Sequence, residues 1–199
     1  MFEGPAADRV VRFPPAQPGP AGDAGRMTTY TPLPVPPAAL KEIRGTDDAG
    51  RPVEPYRARE DGRPVDCVGS PLRCCLRAIE PGELVALVSY APLRRWAERT
   101  GARPGAYDEQ GPVFIHAEEC DGPAGRTAEY PFARPGALRT LRRYNAEGQI
   151  VGGRLFEIPE DAAAGFDAAL DEAFADPRVV LVHVRAVEYG CFQFEVRRG

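Results

Sequence analysis

The fold is decided by the stretch Val179-Val180-Leu181-Val182-His183-Val184-Arg185-Ala186-Val187-Glu188-Tyr189-Gly190-Cys191-Phe192-Gln193-Phe194-Glu195-Val196-Arg197. Two β-rich segments, 179–186 and 192–197, flank Glu188-Tyr189-Gly190. A three-residue loop that ends in glycine is typical of a type I turn with a G1 bulge. The stretch therefore predicts an antiparallel hairpin in which Val184 lies opposite Phe194 and Val182 lies opposite Val196.

This register gives the predicted hairpin one apolar face and one polar face. The apolar face comprises Val180, Val182, Val184, Ala186, Phe192, Phe194 and Val196. On the other face His183 lies opposite Glu195 and Arg185 lies opposite Gln193, with Cys191 next to the turn. A slip by one residue would mix polar and apolar side chains on both faces, so the pattern strongly favours this register.

Segments upstream of this stretch predict further hairpins. Residues 72–79 and 84–90 are β-rich and flank Glu80-Pro81-Gly82-Glu83, in which proline and glycine suit the centre of a type II turn. Residues 138–144 and 149–158 form a second predicted hairpin, and 112–116 is a short apolar strand. Strands that follow one another in hairpins indicate antiparallel pairing rather than parallel crossovers.

Three helices are predicted between these strands. Proline opens short helices over 38–44 and 92–100, and each is followed by glycine. Pro-Glu-Asp at 159–161 opens the longest helix, which carries a core stripe at i, i+4 and i+8 made of Phe166, Leu170 and Phe174. The predicted fold class is therefore α+β: a single domain with a mainly antiparallel sheet built from hairpins, a few short helices and one longer helix.

Residues 1–26 differ in composition from the rest of the chain. They are rich in proline, glycine and alanine, and such a segment cannot bury enough apolar surface to offset its ordering entropy, so we expect a flexible tail. The single domain is expected over residues 27–199, with Met27 as the natural start. No apolar stretch typical of a secretory signal precedes Met27, so the expected location is the cytoplasm.

Charge and motifs exclude several classes of protein. The chain of 199 residues has 25 Lys and Arg against 29 Asp and Glu, a net charge of −4, which gives no overall attraction to nucleic acid or to an anionic membrane. Arg139, Arg142 and Arg143 could meet an anion, but a solvated strand or helix face is the preferred interpretation. The sequence has no phosphate-binding loop, dinucleotide fingerprint, H-E-x-x-H, C-x-x-C or G-x-S-x-G motif. We therefore expect an unidentified small molecule as the partner, and neither nucleic acid nor a membrane.

Two histidines and five cysteines carry most of the remaining chemistry. An odd number of cysteines without an export signal indicates free thiols. His116 precedes Cys120 by four residues, and His183 shares the last hairpin with Cys191. Two imidazoles and two thiolates would complete a tetrahedral zinc site if the strand of His116 lay beside this hairpin. The predicted metal ligands are therefore His116, Cys120, His183 and Cys191, with zinc as the cofactor.

Two alternatives to a metal or small-ligand site stay open. In a thiol-dependent enzyme, Cys120 or Cys191 would be the nucleophile and a histidine the base, with Glu195 orienting His183. Its thiolate would need a neighbouring cation to lower its pKa. In a structural or interaction domain, His183 and Glu195 would form only a cross-strand ion pair on a partly wet sheet face.

The remaining candidate ligand contacts are Arg185, Gln193, Cys75 and Arg77. Cys74 and Cys75 are adjacent on a predicted strand, so their side chains should point to opposite faces and should not share one metal. Alternation with the leucines places Cys74 in the core. Cys75 then lies beside Arg73 and Arg77, where it would be a thiol of lowered pKa or part of an anion pocket, although a solvated charged face is the more ordinary interpretation.

Several short motifs together resemble a known family. They are Cys75-Leu-Arg, Pro81-Gly-Glu, Gly111-Pro-Val-Phe-Ile-His-Ala-Glu-Glu-Cys120, His183-Val-Arg and Tyr189-Gly-Cys-Phe. The chain resembles a bacterial family catalogued as a domain of unknown function, DUF1203, over about residues 28–198. The resemblance implies a bacterial, cytoplasmic single-domain protein and assigns no activity to any residue.

Overall fold

A computed structural model describes residues 29–59, 67–124 and 129–198. The helices in these ranges are α1 (Pro37–Ile43), α2 (Pro92–Thr100), a 3₁₀ turn (Gly105–Tyr107) and α3 (Ala162–Ala175). The strands are β1 (Tyr56–Arg57), β2 (Leu84–Tyr90), β3 (Gly111–His116), β4 (Leu138–Tyr144), β5 (Ile150–Glu157), β6 (Leu181–Ala186) and β7 (Phe192–Arg197). The predicted tail and the predicted start at Met27 lie outside the described residues.

The strands form two antiparallel sheets. One has the order β1-β2-β3 and the other the order β5-β4-β6-β7. The predicted α+β single-domain fold with hairpin-built antiparallel sheets is confirmed. The expectation that the histidines share one sheet face is wrong, because His116 ends β3 in the first sheet and His183 lies in β6 in the second.

Helix α2 has the predicted bounds and α1 lies within one residue of them, whereas α3 begins at Ala162 and not at the predicted Pro159, with Asp161 before its first turn. The side chain of Asp161 accepts a hydrogen bond of 3.0 Å from the backbone N–H of Ala164 and so caps α3. Gly101 ends α2 in the left-handed conformation, at φ 77°. No helix within the described residues is long and apolar enough to cross a membrane.

The register of the β6–β7 hairpin agrees with the prediction along most of its length. Val184 pairs with Phe194, and His183 pairs with Glu195. The alternation of polar and apolar residues therefore predicted this part of the register correctly, because a slip by one residue would have placed charged side chains among the valines.

A β-bulge next to the turn corrects the end of this register. It lies between Val184 and Arg185 and places Arg185 opposite Phe192, so the predicted pairing of Arg185 with Gln193 is wrong. The extra residue also moves the Phe192 side chain off the predicted apolar face. Its ring packs against the rings of His183 and Tyr90, with centroid distances of 5.2 Å and 5.7 Å.

Both faces of the four-stranded sheet are buried along most of β6 and β7. Helix α3 covers one face, where Phe166 packs with Val184 and Phe194. The other face packs against α2 and, through Phe192, against the three-stranded sheet. The expected partly wet polar face is therefore wrong: His183 is 0% exposed and Glu195 is 2% exposed.

The predicted strand over 72–79 is wrong, because this segment forms turns. The backbone N–H of Leu76 donates to the carbonyl of Leu72 at 3.0 Å, and Leu76 has a positive φ of 58°. The Arg73 side chain turns inward and its Nε donates to the carbonyl of Phe192 at 2.8 Å. A strand would alternate its side chains, and the inward arginine and the left-handed leucine break that alternation.

Replacing Phe166 tests the packing of α3 on the sheet. Its ring is fully buried and lies 4.7 Å from the Tyr130 ring and 4.9 Å from the Phe156 ring. Phe166→Ala is expected to lower the free energy of unfolding by about 3–5 kcal/mol, measured by urea denaturation. Leu155→Ala is the control, because Leu155 is 55% exposed and its loss should change stability by about 0.5 kcal/mol or less. Equal losses in the two variants would contradict the described packing.

Candidate metal centre

Two segments far apart in sequence meet at the end of β3. His116 is the last residue of this strand, and Cys120 follows in the next bend. The turn that contains Cys74 and Cys75 docks against the strand, because the backbone N–H of Arg73 donates to the carbonyl of Phe114 at 2.8 Å. The chain is therefore folded so that three thiols and one imidazole lie together.

The donor atoms of these four residues form a compact group. The Sγ atoms of Cys74 and Cys75 are 3.9 Å apart, and His116 Nδ1 lies 3.5 Å from the first and 3.8 Å from the second. All four donor atoms, including Cys120 Sγ, lie within 4.8 Å of one another. The expectation that Cys74 and Cys75 diverge is wrong, since they lie in a turn and not in an extended strand.

A carboxylate lies on the far side of the imidazole and can accept its proton, and a guanidinium holds that carboxylate in place. Glu83 Oε1 lies 3.2 Å from His116 Nε2, and Arg77 forms an ion pair with Glu83 while its NH2 group lies 3.2 Å from the same ring nitrogen. When Nε2 carries the proton and donates it to Glu83, the lone pair of Nδ1 faces the sulfur atoms. This arrangement prepares the ring to act as a ligand.

The two adjacent thiols have opposite acidities. A hydrogen bond from the Cys74 thiol lowers the pKa of Cys75 to about 6, helped by a backbone hydrogen bond from Arg77 and by the charges of His116 and Arg77, while burial opposes the shift. Donation of the same hydrogen bond, together with burial, raises the pKa of Cys74. The Arg77 hydrogen bond lowers the pKa of Glu83 to about 2. Of the two adjacent cysteines, Cys75 is therefore the one that favours the thiolate, and the neighbouring Glu83 favours its ionised form.

The structure brings together only part of the predicted metal set. His116 and Cys120 belong to the group. Of the predicted ligand contacts, Cys75 also belongs to it, and Arg77 lies against it. His183 and Cys191 do not belong to the group. His183 lies in the interior against the Tyr144 ring, and Cys191 lies at the turn before β7.

The other predicted site residues lie in the four-stranded sheet. Glu195 is paired with Arg197, and its Oε2 is 3.8 Å from His183 Nε2. Arg185 Nε donates to the carbonyl of Gly190 at 2.9 Å. Gln193 is the extra residue of the bulge and is 3% exposed.

Sequence reasoning missed Cys74 as a partner in this group, and it missed Glu83 altogether. A histidine followed four residues later by another ligand is a spacing found in zinc sites, and an adjacent Cys-Cys pair supplies the remaining thiols. Pro71 was the signal that the segment does not begin as a paired strand, because proline has no backbone N–H to donate. Glu83 follows the predicted Pro81-Gly82 turn, which returns the chain toward β2.

The fold and this side-chain group define an α+β domain with a clustered set of three cysteines and one histidine. The chain matches, over residues 69–198, a family model described as "Protein of unknown function (DUF1203)". It belongs to this family, as the sequence motifs indicated, and every residue of the cluster lies in the matched segment. No curated protein and no solved structure matches the chain.

The acidity of Cys75 can be measured in protein stripped of metal. The rate of alkylation of Cys75 by iodoacetamide should rise with pH around a midpoint near 6, followed by peptide mass spectrometry. Cys74→Ala removes the largest cause of the shift, so the midpoint should move toward the ordinary thiol value of about 8.5. Cys191→Ser should leave the midpoint unchanged. A midpoint that stays near 6 after Cys74→Ala would contradict this assignment.

Proposed function

We propose that the protein binds one zinc ion through the Sγ atoms of Cys74, Cys75 and Cys120 and the Nδ1 atom of His116. The observation that carries the proposal is the spacing of these donor atoms. With Zn–S near 2.3 Å and Zn–N near 2.0 Å, a tetrahedral site has S···S edges of about 3.8 Å and S···N edges of about 3.6 Å. The corresponding separations here are 3.9 Å between the two sulfurs and 3.5 Å and 3.8 Å to Nδ1.

The chemistry of the donors favours zinc over harder cations. Thiolate and imidazole ligands suit zinc, whereas magnesium and calcium prefer oxygen. Cys75 already tends toward its thiolate, and the backbone N–H of His116 donates to Cys74 Sγ at 3.3 Å, which supports a negative charge there. Binding would release the remaining thiol protons, so affinity should rise with pH.

Four protein ligands indicate a structural role for the ion. A tetrahedral site with four protein donors has no position left for water or substrate, which is typical of structural zinc. The bound ion would join the turn containing Cys74 and Cys75 to the end of β3. Its contribution would therefore be to stability, because the ligands belong to segments about 40 residues apart that only folding brings together.

The state of the thiols also supports a location. None of the five cysteines forms a disulfide bond. Free thiols persist in reducing compartments and are oxidised outside them. We therefore propose the cytoplasm as the location.

A second candidate function uses the same residues as a catalytic triad. Cys75 Sγ is 3.8 Å from His116 Nδ1, and His116 Nε2 is 3.2 Å from Glu83. In a thiol enzyme these three residues would be the nucleophile, the base and the acid that orients the base. The triad needs one nucleophilic thiol, with Cys74 only lowering its pKa, and leaves Cys120 without a role; Cys75 is also only 8% exposed to a substrate. Zinc binding uses all three thiols and is therefore the preferred function.

Metal content tests the proposal directly. The purified protein should contain about one zinc per chain by mass spectrometry of the metal, and Cys75→Ser or Cys120→Ser should lose most of it. Cys191→Ser is the matched control, since this thiol lies outside the cluster. Protein that contains no zinc and takes up none after reduction would overturn the proposal. If Cys75 in that protein still alkylated rapidly near pH 6, the thiol-enzyme candidate would be favoured.

Glu83 provides a test of the support behind the histidine. Altering the hydrogen-bond acceptor of a metal-bound histidine typically weakens metal affinity about 10–100-fold. Glu83→Gln replaces the carboxylate by a neutral amide, which removes the charge that makes the imidazole a stronger ligand, so it should weaken zinc binding by that factor in competition with a chromophoric chelator. Glu80→Gln is the control, because Glu80 is exposed and its contact with Glu83 comes from its backbone N–H. Equal affinities of wild-type and Glu83→Gln protein would exclude this role of Glu83.

A further inference from the structure

A second group of polar side chains lies on the four-stranded sheet, on the face covered by α2. We call it the arginine cluster: Arg142 and Tyr144 from β4, His183 and Arg185 from β6, and Glu109 from the loop before β3. Arg142 pairs with His183 across the two strands. The Tyr144 and His183 rings are 4.8 Å apart. The prediction that Arg142 belongs to a solvated face is wrong, because its side chain is only 26% exposed and pairs with Glu109.

Two guanidinium groups in this cluster converge on one oxygen atom. Arg185 NH1 lies 2.6 Å from Glu109 Oε1, and Arg142 NH1 donates to the same oxygen. Their side chains are 11% and 26% exposed, so water screens their charges only in part. One carboxylate neutralises one of the two guanidinium charges, which leaves an excess positive charge at a partly buried position.

The nearest other carboxylate does not neutralise this charge. Glu195 lies on the far side of the imidazole, 3.8 Å from His183 Nε2. It is already paired with Arg197, and Arg99 NH2 lies 3.9 Å from it. The charged groups around His183 are therefore four arginines and two glutamates, with a positive excess.

The floor of the arginine cluster holds polar atoms whose hydrogen-bonding capacity is unused. His183 is 0% exposed, and neither of its ring nitrogens has a partner at hydrogen-bond distance in the described part of the chain; Glu195 Oε2 lies 3.8 Å from Nε2. The hydroxyl of Tyr144, also fully buried, has no partner at that distance among the same residues, although the charged Arg142 lies next to it. Buried polar groups in folded proteins are nearly always paired, so each exception requires an explanation such as a ligand.

We propose that the arginine cluster binds the phosphate group of a small molecule, with Arg142 and Arg185 as its charged contacts, Tyr144 as a hydrogen-bond donor behind them and His183 beside it. Planar guanidinium groups match the oxygens of a phosphate, and the two arginines and Tyr144 can donate hydrogen bonds. With Glu109 displaced, two positive charges face the ligand, and a doubly charged group neutralises both. A singly charged carboxylate would neutralise only one of the two positive charges, as Glu109 does now.

Glu109 occupies the position that the ligand would take. Its side chain is 39% exposed and belongs to a loop, so it can rotate into water without breaking a strand or a helix. The neighbouring Asp108 is held by Arg94 at 2.9 Å, which keeps the loop in place when Glu109 leaves. Glu109 thus acts as an internal competitor that sets the affinity of the site.

The experiment follows the two histidines of the full chain by NMR. Inorganic phosphate is titrated at constant ionic strength into protein carrying its metal, and the imidazole nitrogens are observed in long-range proton–nitrogen spectra. We expect a saturable shift of the His183 resonances, with His116 unchanged as an internal reference. Acetate at matched ionic strength should produce at least tenfold weaker binding, because it is singly charged. An equal response to acetate would overturn the assignment to phosphate.

Variants test the roles of individual residues in the arginine cluster. Glu109→Gln should bind phosphate about tenfold more tightly, and Arg142→Gln and Arg185→Gln should bind it at least tenfold more weakly. Arg142→Lys keeps the charge and loses the planar fork, so an intermediate loss is expected even if Arg142→Gln folds poorly. Arg154→Gln is the matched control, since Arg154 lies on β5, outside the cluster, and pairs with Glu172 of α3.

The results that overturn this proposal are separate from those that overturn zinc binding. Absence of a saturable His183 shift in both wild-type and Glu109→Gln protein would reject the phosphate site, as would unchanged affinity in Arg142→Lys and Arg185→Gln. Zinc content measured on the same samples reports the metal centre independently, because none of the substituted residues belongs to it.

Discussion

The hydrogen bond from Arg73 Nε to the carbonyl of Phe192, 2.8 Å long, connects the two sheets at the point on which the candidate metal centre depends. Arg73 is 3% exposed, and burial lowers its pKa to about 10, so it remains charged at neutral pH. A buried charge is unfavourable unless several acceptors surround it, and here backbone carbonyls, including that of Pro71, serve that purpose. The next residue is Cys74, so the bond positions the cysteine turn against the four-stranded sheet.

The β-bulge at Phe192 makes this connection possible. Without the extra residue, the Phe192 ring would lie on the α3 face with Phe194, as simple alternation predicts. With it, the ring packs against Tyr90 in the other sheet, and its carbonyl group accepts the Arg73 hydrogen bond. A single inserted residue therefore provides both the apolar and the polar contact between the two sheets.

The sequence predicted the elements better than it predicted their irregularities. Alternating valines from 180 to 184 fixed the β6–β7 register because one wrong step would bury charge among them. The bulge was not predictable in the same way, since Phe192-Gln193-Phe194 alternates as regularly as a bulge-free strand. The turn at 72–77 was mistaken for a strand because Leu76, a residue that disfavours positive φ, adopts it here.

The conformation of Leu76 shows why the full candidate metal centre could not be predicted from the sequence. A non-glycine residue at φ 58° is strained, and such strain persists only when packing compensates for it. The Leu76 side chain packs into the cluster under α3, whereas Cys74 and Cys75 pack into the core of the other sheet. His116 and Cys120 are close in sequence and could be paired from their spacing alone. Their partners depend on a turn that is stabilised by two separate cores.

Phe192 connects the candidate metal centre with the arginine cluster. The Phe192 ring lies 5.2 Å from the His183 ring, at the floor of the arginine cluster, and the Phe192 carbonyl accepts the hydrogen bond from the arginine that precedes Cys74. A metal ion that fixed the cysteine turn would therefore also hold Phe192, and with it the position of His183. Because four protein ligands leave a tetrahedral ion no open position, this mechanical role is the one that the ligand set supports, and the proposed phosphate contacts lie instead with the more exposed arginines of the neighbouring sheet.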